Sequence, residues 1–133
     1  KVQLSNSKAV EEIKKLNLLN KRVTADSAEP RTINEFKKLG LNIIGAKKGP
    51  DSVEHGLKFL SEEIEEIIID PVRCPNAKRE FVGYEIEKDK EGNLKGEYPD
   101  KDNHTIDACR YGMEDEIINK KVKIRSKAKL GLR

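Results

Sequence analysis

The residues Lys21-Arg22-Val23-Thr24-Ala25-Asp26-Ser27-Ala28-Glu29-Pro30 (KRVTADSAEP) hold a strand, an acid and a helix start in immediate succession. Val23 and Thr24 are β-branched and suit pleated backbone, so KRVTAD reads as a short strand that stops at Asp26. Pro30 has no backbone N–H to satisfy and a φ already near the helical value, which fits a first helical turn. Downstream, Ile33, Phe36 and Leu39 form one apolar face, and Gly40 terminates that helix. Asn42–Ala46 (NIIGA) is the next strand. Asp51 and Glu54 have capping-box spacing and open a helix expected to bury Val53, Leu57 and Leu60. Ile67–Asp70 (IIID) reads as a third strand, stopped by Pro71. Upstream, residues 7–19 place Val10, Ile13, Leu16 and Leu19 at helical spacing behind a Ser5 or Ser7 cap. Strands that alternate with helices predict βαβ crossovers, a parallel sheet and an α/β fold.

After Asp70 the pattern changes. Residues 75–83 predict a short helix. Gly83–Lys88 and Asn93–Glu97 predict a hairpin around Asp89-Lys90-Glu91-Gly92. Residues 98–103 (YPDKDN) form a polar loop. A last helix is expected from Asn103 to Asn119, with Ile106, Cys109, Arg110, Met113 and Ile117 near one side.

The chain's 133 residues suffice for one domain with a single core. No apolar run approaches the roughly 20 residues of a helical membrane span, which excludes that class. The first residues lack the apolar stretch of a secretory signal. Cys74 and Cys109 are too few for a disulfide scaffold, and reduced thiols are the simpler reading. No GxxxxGK[ST] loop occurs, so the chain contains no P-loop motor. The formal charge of +3 conceals an asymmetry. Residues 120–133 (KKVKIRSKAKLGLR) carry 7 Lys/Arg and no acid, which leaves residues 1–119 at −4.

Two places carry candidate chemistry. Asp26 ends a strand, and ligands of open α/β sheets bind outside the carboxyl ends of strands. It is equally a residue type that caps loops. His104 and Asp107, spaced i, i+3 at a helix start, share one face. Oxygen donors with one nitrogen suit Mg²⁺ or Mn²⁺. An acid in a first turn also meets the helix macrodipole favourably, and alone the spacing favours that role. Lys47 and Lys48, before Gly49-Pro50, have the charge to meet phosphate or simply a solvated loop. His55, Cys74, Cys109 and the acidic run Glu62–Glu66 read as structural or solvated.

Three stretches in order carry a family resemblance: Asp26-Ser27-Ala28-Glu29-Pro30 closing a strand, Lys48-Gly49-Pro50-Asp51-Ser52-Val53 followed by Gly56, and Asn103-His104-Thr105-Ile106-Asp107-Ala108-Cys109-Arg110-Tyr111 opening a helix. Over roughly residues 7–115 the chain resembles the nuclease domain of phage terminase large subunits, the DNA-packaging enzymes. The resemblance implies an RNase H-like mixed sheet flanked by helices and metal-dependent cleavage of concatemeric double-stranded DNA. It implies Asp26, His104 and Asp107 as catalytic metal ligands in a two-ion Mg²⁺ or Mn²⁺ site. Such ions, about 3.5–4 Å apart, activate water and stabilise the leaving oxygen. Implied partners are double-stranded DNA, the ATPase motor of the large subunit, the small terminase subunit and the portal, in the host cytosol and away from membrane. Lys47, Lys48, Lys120, Lys121, Lys123 and Arg125 are the candidate DNA contacts.

One departure from the family accompanies this. Its first metal-binding aspartate lies on a central strand followed by an antiparallel meander, and here only Val2–Leu4 would remain of that meander. The expectation is a partial nuclease domain over 1–119 with a basic tail over 120–133, as a fragment of a longer protein or a prophage relic, with weak or absent cleavage. The alternative is a non-catalytic nucleic-acid-binding or assembly module that keeps the α/β fold and binds through its basic tail. A resolvase or integrase relative is a third reading, against which Lys48-Gly49-Pro50-Asp51 argues.

Overall fold

The computed structural model describes residues 4–85, 88, 90–93 and 98–119. The chain divides into two compact units, Lys1–Pro50 and Asp51–Arg133. The first unit contains α1 (Asn6–Lys15), β1 (Val23–Ala25), α2 (Pro30–Lys38) and β2 (Ile43–Gly45). β1 and β2 run parallel in the register Val23↔Ile43, Thr24↔Ile44 and Ala25↔Gly45. The pairing is extended at both ends, where Val23 N–H donates to Asn42 O at 2.8 Å and Ala46 N–H to Ala25 O at 2.7 Å. Parallel neighbours need a crossover, and α2 supplies it.

α1 starts where Ser5 Oγ accepts the Lys8 N–H at 3.3 Å. It ends earlier than the apolar spacing predicts. Asn17 adopts φ 56°, a left-handed conformation that Asn tolerates and that stops the helix. Leu16, Leu18 and Leu19 are consequently exposed. Gly40, at φ 94°, turns the chain out of α2, and Leu41 N–H then donates back to Phe36 O at 3.1 Å. Val10, Ile33, Leu41 and Ile43 form the buried core, with Ile13, Val23, Ala25, Phe36 and Leu39 packed against it. Burying such a side chain contributes about 1.5–3 kcal/mol. The exposed bond from Asn6 Nδ2 to Glu35 Oε2 (2.9 Å) adds roughly 1 kcal/mol or less, so packing joins α1 to α2.

The second unit contains α3 (Ser52–Glu62), α4 (Pro75–Gly83) and α5 (His104–Gly112), followed by a helical stretch at 114–119. α5 packs against both α3 and α4. Its Ile106 is buried at 3% exposure. Leu57, Leu60, Ile67, Phe81 and Tyr84 line an open apolar groove beside it.

Several expectations are corrected. Ile67–Asp70 forms no strand, because a strand requires a paired edge and an apolar run alone does not supply one. Ile68 is 84% exposed, and the Asp70 carboxylate instead accepts the Val72 and Arg73 N–H groups to shape a turn. Among the described residues the sheet is two parallel strands rather than a mixed sheet. The Asp51 side chain makes no capping bond, since φ 60° turns it away from the N-cap geometry, and Val53 is exposed. The expected last helix breaks at Met113, just past Gly112. The predicted hairpin lies largely outside the described residues, and Val2 and the whole of 120–133 lie outside them too.

Candidate functional site

Asp26 follows β1 directly, and Lys48 lies three residues beyond β2. Because β1 and β2 are parallel and in register, both reach the same carboxyl edge. There Lys48 Nζ stands 2.6 Å from Asp26 Oδ1, with the two side chains 44% and 53% exposed. The same oxygen accepts the Ala28 N–H at 2.9 Å, an Asx turn that fixes the loop after β1. The hydrogen bond from Lys48, then that from Ala28, hold the Asp26 carboxyl below the usual carboxylate range. Gly45, the partner of Ala25 at the end of β2, packs close to the loop after β1. A Cβ there would lie 3.1 Å from Ser27 Cβ and 3.3 Å from Ile33 Cδ1.

His104 and Asp107 open α5 one turn apart, as the spacing predicts. His104 is exposed at the first helical position. Asp107 keeps 27% side-chain exposure and is gripped by Arg110, whose Nη2 lies 2.6 Å and Nε 3.1 Å from Oδ1. Arg110 is only 5% exposed, and its Nη1 reaches Ser52 O on α3 at 3.4 Å. Its stem crosses α3 at Gly56, where a Cβ would stand 2.8 Å from Arg110 Cδ.

Glu80, on α4 and 4% exposed, caps α5 from outside the helix. Its Oε2 accepts the Thr105 N–H at 2.6 Å and also the Thr105 hydroxyl. Burial alone raises the Glu80 pKa, but the bonds from Thr105 and Ile106 and the neighbouring His104 outweigh it, and the carboxyl sits below its usual range. An anion at a helix N-terminus meets the positive end of the dipole and satisfies orphan N–H groups.

The spacing singles out Asp26, His104 and Asp107 but not the grip of Arg110 on Asp107 or the cap that Glu80 places on α5. The signal for Arg110 was Gly56, a glycine inside a helix that serves no turn. Glu80 has no local signal, since its partner is 25 residues away. Lys48 pairs with an acid instead of standing as a purely solvated loop cation. Lys120, Lys121, Lys123 and Arg125 lie outside the described residues. Asp26 belongs to the first unit, His104 and Asp107 to the second. Among the described residues, no group of three or more His, Cys, Asp or Glu forms a set able to hold a metal ion by itself. Taken one by one, these are donor types that hard divalent cations accept: Asp26 is accessible at the end of β1, His104 is exposed, and the arginine bonds on Asp107 fall on one oxygen.

Comparison with known proteins identifies the family. The family described as the terminase RNAseH like domain matches residues 1–115. The large subunit of the terminase of Bacillus phage SPP1 is 45% identical over 117 residues, which cover 86% of this chain and 28% of that protein. The PBSX phage terminase large subunit of Bacillus subtilis (strain 168) is 29% identical over 113 residues, 85% of this chain and 26% of that protein. The chain therefore spans little more than a quarter of these relatives. A crystal structure of the SPP1 g2p large-terminase nuclease domain with bound Mn superposes with a TM-score of 0.77 at 44% identity, covering 86% of this chain and 65% of that one. The chain belongs to the RNase H-like nuclease-domain family of phage terminase large subunits.

Proposed function

We propose that this chain supplies the metal-dependent endonuclease of a DNA-packaging terminase, cutting concatemeric double-stranded DNA. The observation that carries the reading is the likeness, at 44% identity and TM-score 0.77, to a terminase nuclease domain that holds Mn. Asp26, His104 and Asp107 are the ligands this chain offers to Mg²⁺ or Mn²⁺. Bound divalent ions lower the pKa of a coordinated water and neutralise charge developing on the phosphodiester, in the two-ion manner.

The chain's own residues prepare that chemistry. The Lys48 and Ala28 donors hold Asp26 Oδ1 in place at the carboxyl end of β1. Glu80 fixes the first turn of α5, which carries both His104 and Asp107. Lys47 and Lys48 beside Asp26 add positive charge where a DNA phosphate would approach. Residues 120–133 provide a sequence-independent DNA contact. The motor of the large subunit, the small subunit and the portal are the partners this role requires.

Plasmid nicking in Mn²⁺ tests the reading. Nicking by this chain is expected to be weak, and Asp107→Ala to abolish it; equal activity in that variant would sink the assignment of the site. A chain that binds DNA but never cuts, in Mn²⁺ or Mg²⁺, would instead support the binding-module alternative, for which the cluster of 7 Lys/Arg in 120–133 speaks.

A further inference from the structure

We propose that Arg110, seated in the notch left by Gly56, is a positioning residue that presents Asp107 to a divalent cation. The inference rests on the reading of Asp107 as a metal ligand and adds what orients it. Arg110 is held on three sides. Nε and Nη2 both bond Asp107 Oδ1 at 3.1 and 2.6 Å, Nη1 reaches Ser52 O at 3.4 Å, and the guanidinium carbon lies 5.2 Å from the Tyr111 ring centroid. The stem fits only because position 56 is glycine, with its notional Cβ 2.8, 3.2 and 3.5 Å from Arg110 Cδ, Cγ and Cβ. A planar guanidinium gripped this way has one orientation, and two bonds to a single carboxylate oxygen fix the rotamer of the partner. Oδ1 is thereby engaged, and the direction of Oδ2 is set. The Ser52 and Gly56 stretch thus acts at the metal site through Arg110.

The rival role predicts the opposite sign. If Arg110 were only a counter-ion for a partly buried aspartate, its charge would repel an incoming cation, and removing it would tighten metal binding. Positioning by outer partners of a ligand is instead worth about 10–100-fold in metal affinity. Lysine separates charge from geometry, since it keeps the cation but loses the planar fork. Gly56→Ala separates geometry from chemistry: every charge remains, the α3 helix gains propensity, and only the seat of Arg110 is lost.

The experiment is a Mn²⁺ titration of the 133-residue chain, followed by loss of the free-ion EPR signal. Circular dichroism and thermal unfolding establish that each variant is folded. Arg110→Met, Arg110→Lys and Gly56→Ala are each expected to weaken Mn²⁺ binding, the arginine variants by about 10–100-fold. In the metal-free chain the Arg110 Nε–H resonance is expected to exchange slowly with solvent, and fast in Asp107→Asn. Arginine variants that bind Mn²⁺ as tightly as wild type or tighter, beside a weakened Asp107→Asn, overturn the positioning role and leave the ligand reading intact. Asp107→Asn binding like wild type overturns the ligand reading itself. If Arg110→Met does not fold, Gly56→Ala decides: unchanged Mn²⁺ binding in that variant overturns the proposal.

Discussion

Lys48 Nζ meets Asp26 Oδ1 at 2.6 Å because two parallel strands in register end side by side. Neither residue is buried, so the pair adds little to stability; exposed pairs contribute about 0–1 kcal/mol. Its consequence is electrostatic. The ammonium favours the ionised carboxylate, so Asp26 titrates below its ordinary range. Lys48→Met is expected to move that titration upward, as read from the carboxyl carbon shift by NMR. Because Ala28 N–H still donates, part of the depression should remain. A titration that does not move would mean that the ion pair does not form in solution.

The distinction between core and surface in the apolar runs is equally testable. Leu41 is 4% exposed within the first unit's core, whereas Ile68 is 84% exposed in a segment without strand pairing. Leu41→Ala is expected to destabilise by about 2–5 kcal/mol in urea unfolding. Ile68→Ala is expected to lie within about 0.5 kcal/mol of wild type. A large effect at Ile68 would restore the strand that its sequence suggests.

These contrasts show what a linear reading captures. Val23–Ala25, the helix after Pro30 and Ile43–Gly45 were legible because β-branching, proline and glycine act locally. Asp26 was legible for the same reason, standing at the end of such a strand. Lys48 was seen as a loop cation because its partner depends on register, a property of two strands together. Ile67–Ile69 has the same residue type as Ile43-Ile44, yet among the described residues only the latter has a strand to pair with. The grip of Arg110 on Asp107 spans one helical turn, but its seat on Gly56 spans two helices. Glu80 looks like any surface acid until α4 and α5 are packed.

Glu80 also makes stability depend on pH. Its folded pKa lies below the ordinary carboxylate value, against the raising effect of burial. A depressed carboxylate stabilises the fold above its unfolded pKa, and that contribution is lost as pH falls through the folded value. Glu80→Gln is therefore expected to cost about 1.5–3 kcal/mol near neutral pH, the range for hydrogen bonds to a charged group. The gap to wild type should narrow from about pH 5 downward as Glu80 itself becomes protonated. Chemical denaturation across that range checks both the magnitude and the sign. A constant gap would assign the cost to shape rather than charge.

The division of charge yields a prediction about DNA. Residues 1–119 carry a formal −4, which repels a polyanion at long range, so attraction must come from local cations. Residues 120–133 supply 7 of them without an opposing acid. Each phosphate neutralised contributes about −0.9 to the slope of log affinity against log salt on duplex DNA. Deleting 120–133 is expected to make that slope shallower by up to about 6, with little change in sequence preference. Replacing Lys47 and Lys48 by Met should remove at most about 2 more. Fluorescence anisotropy over a salt series measures both. If the slope survives the deletion, the tail is no DNA contact, and the phosphate-binding surface lies on 1–119 despite its net negative charge.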